Sequence, residues 1–258
     1  MRELTIKIKD KKRIKDDVFL MDLYAPEIAT RAYPGQFIHI KTDDKITVLR
    51  RPISIHAVNK NVISILFRVK GSGTRALSLL SDGDTLNVLG PLGHGFSLKP
   101  RKNDAFVNIL IGGGMGVAPL MFLAQKLTNK ESNIVILGAS DKNSVLCEKE
   151  FKTLNCKVHV ATDDGSRGAK GSVTDLLLDL FNKDGFQGKA NIYACGPEAM
   201  FCSINSIIAD KKNVNCQISY EQFMGCGTGI CCGCTVKTKT GYKKACKDGP
   251  VFNIREIW

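Results

Sequence analysis

The residues best suited to chemistry in this sequence are a group of cysteines near its C-terminus. Five of the ten cysteines fall between Cys226 and Cys246, in a stretch that is rich in glycine. Cys226, Cys231 and Cys234 have the Cys-x4-Cys-x2-Cys spacing of plant-type 2Fe–2S loops, and Cys246 follows as a fourth ligand. Glycine reaches the dihedral angles that turn backbone N–H groups toward cluster sulfurs. The spacing therefore predicts a 2Fe–2S site held by these four cysteines.

Two other interpretations of these cysteines stay open at this point. Zinc sites prefer two separated Cys-x2–4-Cys pairs, a pattern that the present spacing fits less well. A loop of buried free thiols is the other interpretation. Cys232 is surplus to four ligands, and we expect its side chain to point away from the metal and to fill space in the packing.

A second feature is the glycine-rich turn Gly112–Pro119, between a predicted strand and a predicted helix. Such a turn can present backbone N–H groups and a helix N-terminus to a pyrophosphate. It departs from the strict Gly-x-Gly-x-x-Gly fingerprint, because Val117 or Pro119 stands where a third glycine or an alanine is needed. A tight strand-to-helix connection that needs small residues is the structural alternative.

Two further motifs could contact a nucleotide cofactor. Arg51-Pro52-Ile53-Ser54, with Arg68 and Gly73-Thr74 downstream, offers guanidinium groups for phosphate oxygens and a hydroxyl for a ring nitrogen. Cys195-Gly196-Pro197 follows a predicted strand, where ligand crevices of open sheets lie. A turn with exposed arginines and a buried core cysteine are the respective alternatives.

Composition and charge exclude several other classes of function. The net charge is +12, but the surplus lysines are spread along the chain and only 7% of residues are aromatic, which argues against nucleic-acid binding. The histidines form no ligand spacing, and no Ser-His-Asp or paired-carboxylate arrangement supports hydrolysis. No apolar run reaches the length of a membrane span, and no signal peptide is evident, so we expect a cytoplasmic protein.

The periodicity of the sequence predicts the elements that must position these motifs. In the first hundred residues, apolar and polar residues alternate and turn signals recur, which predicts a small antiparallel β-barrel. Its expected strands include Leu4–Ile8, Val18–Tyr24, Phe37–Lys41, Val62–Val69 and Thr85–Leu89. From Phe106 onward, short apolar strands alternate with helices, as in a doubly wound parallel sheet. In the first of these helices, Val117, Leu120, Met121, Ala124 and Leu127 share one face.

The sequence is therefore expected to form three domains. Residues 1–101 would be a β-barrel, residues 102–215 a nucleotide-binding α/β domain, and residues 216–258 a small cluster domain with a hairpin around Thr240-Gly241.

Taken together, these motifs resemble the ferredoxin–NADP reductase superfamily, and more closely the electron-transfer subunits of class 1B dihydroorotate dehydrogenases. The resemblance covers nearly the whole chain. It is carried by Pro34–Phe37, Arg51–Ser54, Arg68–Thr74, Leu89–Gly93, Gly112–Pro119, Cys195–Pro197, the cysteine loop and Asp248–Phe252.

The resemblance implies roles for individual residues. In an antiparallel FAD-binding barrel, the flavin would be held by Arg51, Pro52, Ile53, Ser54, Leu66, Phe67, Arg68, Gly73 and Thr74. The nicotinamide nucleotide would face Gly112, Gly113, Gly114, Gly116, Cys195, Gly196 and Pro197. The 2Fe–2S cluster would be ligated by Cys226, Cys231, Cys234 and Cys246.

The resemblance also implies a function and a partner. An FMN-containing catalytic subunit would oxidise dihydroorotate in pyrimidine biosynthesis, and this chain would pass the electrons through 2Fe–2S and FAD to NAD+. Two catalytic and two electron-transfer subunits would form a heterotetramer. The preference for NAD over NADP is implied by the family alone. The sequence does not decide it, because Lys142 and Arg167 could contact a 2′-phosphate.

Two alternatives accompany this expectation. The flavin subunits of bifurcating NADH-dependent ferredoxin:NADP oxidoreductases or sulfide dehydrogenases are similar, but they typically have Asp where Cys226 stands here. A zinc-binding interaction module without flavin is an alternative of another class, although such a module needs neither the arginine nor the glycine motif.

Overall fold

The computed structural model describes residues 2–42, 48–98, 106–127, 133–183 and 188–258. Contacts divide the chain into two units. The first contains Met1–Gly95, Glu221–Lys237 and Tyr242–Pro250, and the second contains Phe96–Tyr220, Thr238–Gly241 and Val251–Trp258. No helix in the described ranges is both long and apolar enough to cross a lipid bilayer.

Six antiparallel strands of the first unit close into the expected barrel, in the order β1-β2-β5-β4-β3-β6. Alternation in β1 is confirmed, since Ile6 and Ile8 are buried while Lys7 and Lys9 are exposed. The strand bounds are Arg2–Lys15 (β1), Val18–Tyr24 (β2), Phe37–Lys41 (β3), Arg51–Asn59 (β4), Val62–Arg68 (β5) and Thr85–Leu92 (β6).

Two helices of this unit were not predicted from the sequence. They are α1, Pro26–Ala29, and α2, Ser72–Leu79. Glycine at positions 71 and 73 disfavours a helix in isolation. The hydroxyl of Thr74 accepts the backbone N–H groups of Lys70 at 2.9 Å and Gly71 at 3.2 Å, which fixes the chain where α2 begins.

The second unit contains a seven-stranded sheet in the order β10-β9-β8-β7-β11-β12-β15. Its strands are parallel except for the antiparallel pair β12–β15. Apart from the short β10, the parallel strands follow the order 3-2-1-4-5, so the doubly wound arrangement is confirmed. The bounds are Phe106–Gly113 (β7), Asn133–Ala139 (β8), Lys157–Thr162 (β9), Ala169–Lys170 (β10), Lys189–Cys195 (β11), Val214–Ser219 (β12) and Val251–Asn253 (β15).

Helices alternate with these strands, as the sequence predicts. They are α3 (Ala118–Lys126), α4 (Glu148–Thr153), α5 (Val173–Lys183), α6 (Glu198–Ile207) and the terminal α7 (Ile254–Ile257), with short 3₁₀ turns at Gly114–Val117 and Lys142–Ser144. Helix α3 was expected to bury one face only, but it is buried more widely than that. Phe122 and Leu123 are buried as well, so α3 is enclosed on every side.

The expected hairpin around Thr240-Gly241 is confirmed as β13 (Thr235–Thr238) and β14 (Gly241–Lys244). The boundary expected between residues 215 and 216 falls within β12, which pairs with β11 and β15. The boundary expected at residue 101 lies outside the described residues. The division into three functional domains otherwise stays a prediction.

Candidate functional site

The cysteine loop of the first unit turns its backbone toward its own sulfurs. The Sγ of Cys226 accepts the N–H groups of Thr228 and Cys231, both at 3.4 Å, and the Sγ of Cys246 accepts the N–H of Gly229 at 3.1 Å. Gly227 and Gly229 have φ of 70° and 84°, a region that side chains with a Cβ seldom enter. The glycines therefore let the backbone surround sulfur atoms with donors.

The four predicted ligands form two pairs. The Sγ atoms of Cys234 and Cys246 lie 3.2 Å apart, and the backbone N–H of Cys231 donates to the Sγ of Cys226 at 3.4 Å. Within the described residues, no three His, Cys, Asp or Glu side chains are grouped as ligands of one metal ion. A 2Fe–2S cluster takes two thiolates on each of two irons, so the paired donor set fits it.

Electrostatics in the loop also fit a bound cation. Burial opposes ionisation of Cys226, but hydrogen bonds from Thr228 and Cys231 together lower its pKa to about 5. Burial and the adjacent Cys234 thiol raise the pKa of Cys246 to about 12. Metals bind thiolates. Two thiolates at this separation repel unless a cation lies between them, so the Cys234–Cys246 pair suits a metal centre.

The hairpin after the loop brings the fourth cysteine into place. The Lys244 ammonium donates to the Gly229 carbonyl at 2.7 Å, and the Ala245 N–H donates to the Cys234 carbonyl at 2.9 Å. The Asp248 carboxylate accepts the Lys244 N–H at 2.7 Å and closes the turn around Cys246. Eleven residues separate Cys234 from Cys246 in the sequence, and the hairpin of β13 and β14 brings the two sulfurs into contact.

Cys232 does not fill space in the packing, so that expectation is wrong. Its side chain is exposed, its φ is 60°, and its sulfur lies 3.8 Å from the Ile230 carbonyl oxygen. The left-handed backbone at Cys232 turns the chain outward between Cys231 and Cys234.

In the barrel, the structure brings together Arg51 and the beginning of α2. The Arg51 guanidinium donates to the Leu49 carbonyl at 2.9 Å, and its side chain lies so close to Gly73 that a Cβ there would overlap it. A guanidinium beside the N-terminus of an eight-residue helix suits a pyrophosphate.

The remaining predicted flavin residues have mixed environments. Pro52, Ile53 and Ser54 are half-buried in β4, whereas Leu66 and Phe67 are buried in β5. Arg68 is half-buried, and its Nε lies 3.1 Å from an Asp17 carboxylate oxygen. The flavin roles of these residues stay predictions.

The second unit contains a cavity of about 510 Å³ at the carboxyl ends of its parallel strands. Of the predicted nucleotide residues, Gly113, Gly114 and Pro197 line it. The other lining residues are Gly138, Ala139, Ser140, Asp163, Gly171, Ser172, Val173, Thr174, Ala199, Met200 and Ser203. These were missed, although the rule that ligands bind at strand carboxyl ends points to Ser140 and Asp163.

The other predicted residues of this unit build the turn behind the cavity. Gly112, Gly116, Cys195 and Gly196 are buried. A Cβ on Gly116 would overlap the Cys195 carbonyl, so the 3₁₀ turn can lie against the end of β11 only with glycine there. These residues shape the cavity from behind, between β7 and β11, where the strand order reverses.

Acidic groups and a paired arginine follow the lining residues Ser140 and Asp163 in the chain. Hydrogen bonds from the Ser140 and Ser144 hydroxyls, then from backbone N–H groups, lower the pKa of Asp141. The Arg167 guanidinium donates to both Glu148 carboxylate oxygens, at 2.6 and 3.2 Å. Arg167, which left a 2′-phosphate site conceivable, is therefore already paired.

Two family models match segments of this chain. Residues 221–258 match the family model described as the iron-sulfur cluster binding domain of dihydroorotate dehydrogenase B, and residues 110–205 match the oxidoreductase NAD-binding domain. The chain is 41% identical to the dihydroorotate dehydrogenase B (NAD(+)) electron transfer subunit of Desulforamulus reducens, over 95% of this chain and 94% of that protein. It is 38% identical to the Bacillus mycoides subunit of the same name, over 100% of this chain and 99% of that protein.

Solved structures give the same fold. An NADH-dependent reduced ferredoxin-NADP oxidoreductase structure, studied for flavin-based electron bifurcation, has a TM-score of 0.84 and 32% identity, with 98% of this chain and 89% of that chain covered. A ferredoxin NADP+ reductase from Neisseria gonorrhoeae has a TM-score of 0.68 at 16% identity, with 85% of this chain and 100% of that chain covered. The second likeness concerns the fold alone. By identity over its full length, this chain belongs to the family of dihydroorotate dehydrogenase B (NAD(+)) electron transfer subunits.

Proposed function

We propose that this chain transfers electrons for an NAD-linked dihydroorotate dehydrogenase of pyrimidine biosynthesis in the cytoplasm. It would receive them from an FMN-containing catalytic subunit, with which it would form a heterotetramer of two plus two. Its own cofactors would be one FAD and one 2Fe–2S cluster, and NAD+ would be the acceptor. The family supports this proposal through relatives of the same name over the full chain.

The single observation that carries the proposal is the paired thiol set in a loop of inward N–H groups. Cys234 and Cys246, whose sulfurs lie 3.2 Å apart, would hold one iron, and Cys226 and Cys231, joined by the Cys231 N–H bond to the Cys226 sulfur, would hold the other. The chemistry that the bound groups supply is one-electron transfer at the cluster and two-electron exchange with nicotinamide at the flavin.

The residues of the chain would bind and orient these groups. Arg51 and the N-terminus of α2 would neutralise the flavin pyrophosphate. The cavity between Gly113 and Ser140 would hold the nicotinamide nucleotide. No side-chain acid or base is required, since the chain has only to set the distance and orientation of the groups that exchange electrons.

The bifurcating oxidoreductases are the second candidate, because one of them shares the fold at a TM-score of 0.84. Cys226 argues against this function, since those relatives typically have aspartate at that ligand. The partner distinguishes the two functions: an FMN-containing catalytic subunit in one case, a large iron–sulfur flavoprotein in the other. The zinc-binding module is disfavoured, since the chain matches an NAD-binding domain.

The experiment is anaerobic purification of the chain with its co-expressed catalytic subunit. We expect about two irons, two sulfides and one FAD per chain, and NAD+ reduction that depends on dihydroorotate. Flavin and cluster without that activity would contradict the assigned substrate. A colourless protein that holds zinc would contradict the cofactor assignment as well.

Matched serine variants test the ligand assignment. C234S removes a buried thiol that lies 3.2 Å from Cys246, so we expect loss of the cluster and of dihydroorotate-dependent NAD+ reduction. C232S removes an exposed thiol two residues away and should keep full iron content. Equal iron in the two variants would contradict the assignment. Iron and sulfide analysis with visible absorption is the measurement.

A further inference from the structure

Strand β3 is buried on both faces, although it belongs to the wall of a barrel. Phe37, Ile38, His39 and Ile40 are all buried, whereas a barrel strand with a solvated outer face would alternate. The cysteine loop explains the burial at His39. A Cβ built on Gly227 would lie 2.5 Å from His39 Nδ1, so the loop backbone lies directly against the imidazole.

The imidazole also faces the strand that is assigned to the flavin. His39 pairs with Pro52 across β3 and β4, and directly paired residues of antiparallel strands have their side chains on the same face. Arg51 and Pro52 are both in the motif assigned to FAD. His39 therefore lies between a flavin-binding strand and the loop that carries Cys226.

His39 is a buried polar side chain that makes no good hydrogen bond within the described residues. Its side chain is fully buried, and neither ring nitrogen makes a hydrogen bond of good geometry within the described residues, although the backbone of Arg50 and of Cys226 lies near the ring. An imidazole carries at least one N–H in every protonation state. Burying that group without a good hydrogen bond destabilises the fold, whereas an aliphatic side chain would fill the space without this cost.

We propose that His39 is a positioning residue for the iron–sulfur cluster: it braces the cysteine loop against the flavin-binding strands, and its ring N–H donates to sulfur of the bound cluster. The proposal rests on the cluster site proposed above. Hydrogen bonds to cluster sulfurs stabilise the reduced form, which carries the additional negative charge, and so raise the reduction potential. A bound cluster would thus give the buried ring N–H of His39 a sulfur atom as its acceptor.

The first test is a set of His39 variants in the purified complex. H39L removes the donor, and we expect the ratio of reduced to oxidised cluster at a fixed solution potential to fall about tenfold. H39Q keeps an N–H donor and should recover much of that ratio. H159L, in β9 of the other unit, is the control and should match the wild type. Redox titration followed by electron paramagnetic resonance measures the ratio, and flavin analysis should show unchanged FAD.

The second test uses the contact with Gly227. G227A places a methyl group against the imidazole and should lower iron content, whereas G233A, whose Cβ would lie 3.6 Å from the nearest atom, should not. In the double variant H39A/G227A the methyl group has room, so iron content should rise above that of G227A. Because Gly227 has φ of 70°, no such recovery is expected if backbone strain alone is the cause.

The outcomes separate this inference from the proposed function. A wild-type complex without a cluster overturns both. A wild-type cluster with an unchanged potential and resonance spectrum in H39L and H39Q overturns only the role of His39, even if those variants are less stable. If H39L fails to fold, the absence of any recovery of iron content in H39A/G227A overturns it.

Discussion

At the scale of residues, the chemistry of this chain is concentrated in side chains whose types are visible in the sequence. The spacing of Cys226, Cys231 and Cys234 is by itself enough to indicate the cluster. What the spacing leaves open is the environment of each thiol. Cys231 and Cys232 are adjacent and both exposed, yet of the two it is Cys231 whose backbone N–H donates to the Cys226 sulfur in the described chain.

The pairing of Glu148 and Arg167 leads to a prediction at the same scale. The Arg167 guanidinium, and secondarily Lys152, holds the pKa of Glu148 at about 2, below its usual 4.5. A carboxylate with a depressed pKa stabilises the folded state above its unfolded pKa, and this contribution is lost as the pH falls from about 4.5 to about 2. We expect E148Q to lower the free energy of unfolding by about 1 kcal/mol at pH 7, since Arg167 is half-exposed and water screens the pair.

Urea denaturation at pH 7 and at pH 3.5 measures this effect. The difference between E148Q and the wild type should shrink at the lower pH. E150Q is the control, because Glu150 is exposed on the same first turn of α4 and should change the free energy of unfolding by less than about 0.5 kcal/mol. A difference that grows toward acid would contradict the assignment.

At the scale of elements, strands with a simple alternation or a continuous apolar run are well predicted. Strands β2 and β3 are found with their predicted ends, because local hydrophobic pattern and turn signals agree there. Strand β12 was missed, although its buried Val214, Cys216 and Ile218 alternate with polar residues as a half-buried strand should. Helix α2 was missed because its Gly73 disfavours a helix in isolation; this glycine is needed for the close approach of Arg51, which arises only from packing.

The glycine turn after β7 supplies a prediction at this scale. A methyl group at Gly116 would overlap the Cys195 carbonyl and force the turn away from β11, so we expect G116A to lose about 2–3 kcal/mol of stability and to bind NADH more weakly. G114A is the control for stability: its Cβ meets open space, and the positive φ of 55° costs about 1 kcal/mol.

Denaturant unfolding and NADH titration of the two variants check this expectation. If G116A proved as stable as G114A, the close approach between the turn and Cys195 would not be a constraint on the fold.

At the scale of the whole molecule, contacts group the cysteine loop with the barrel rather than with the sheet that precedes it in the chain. Glu221–Lys237 and Tyr242–Pro250 belong to the unit of β1–β6, whereas Val251–Trp258 returns to the unit of β7–β12. The order of motifs in the sequence therefore differs from their grouping in space.

This grouping predicts how the protein responds to loss of the cluster. A group that binds only the folded loop stabilises the unit that contains the loop. Removal of iron with a chelator should therefore increase amide exchange in β3, where Gly227 lies against His39, and leave β8 unchanged. Hydrogen exchange with mass spectrometry before and after chelation measures this, and equal increases in β3 and β8 would contradict the grouping.

The sequence by itself determined the chemistry and the two kinds of architecture. Ligand spacing, glycine turns and hydrophobic periodicity are local properties, and each follows from dihedral freedom or side-chain alternation within a few residues. Only the tertiary structure decided which groups meet. The pairing of Cys234 with Cys246, the tether of Arg167 to Glu148 and the burial of His39 beneath Gly227 join residues that are far apart in the chain. Such contacts depend on how close-packed elements cover one another, which no local pattern encodes.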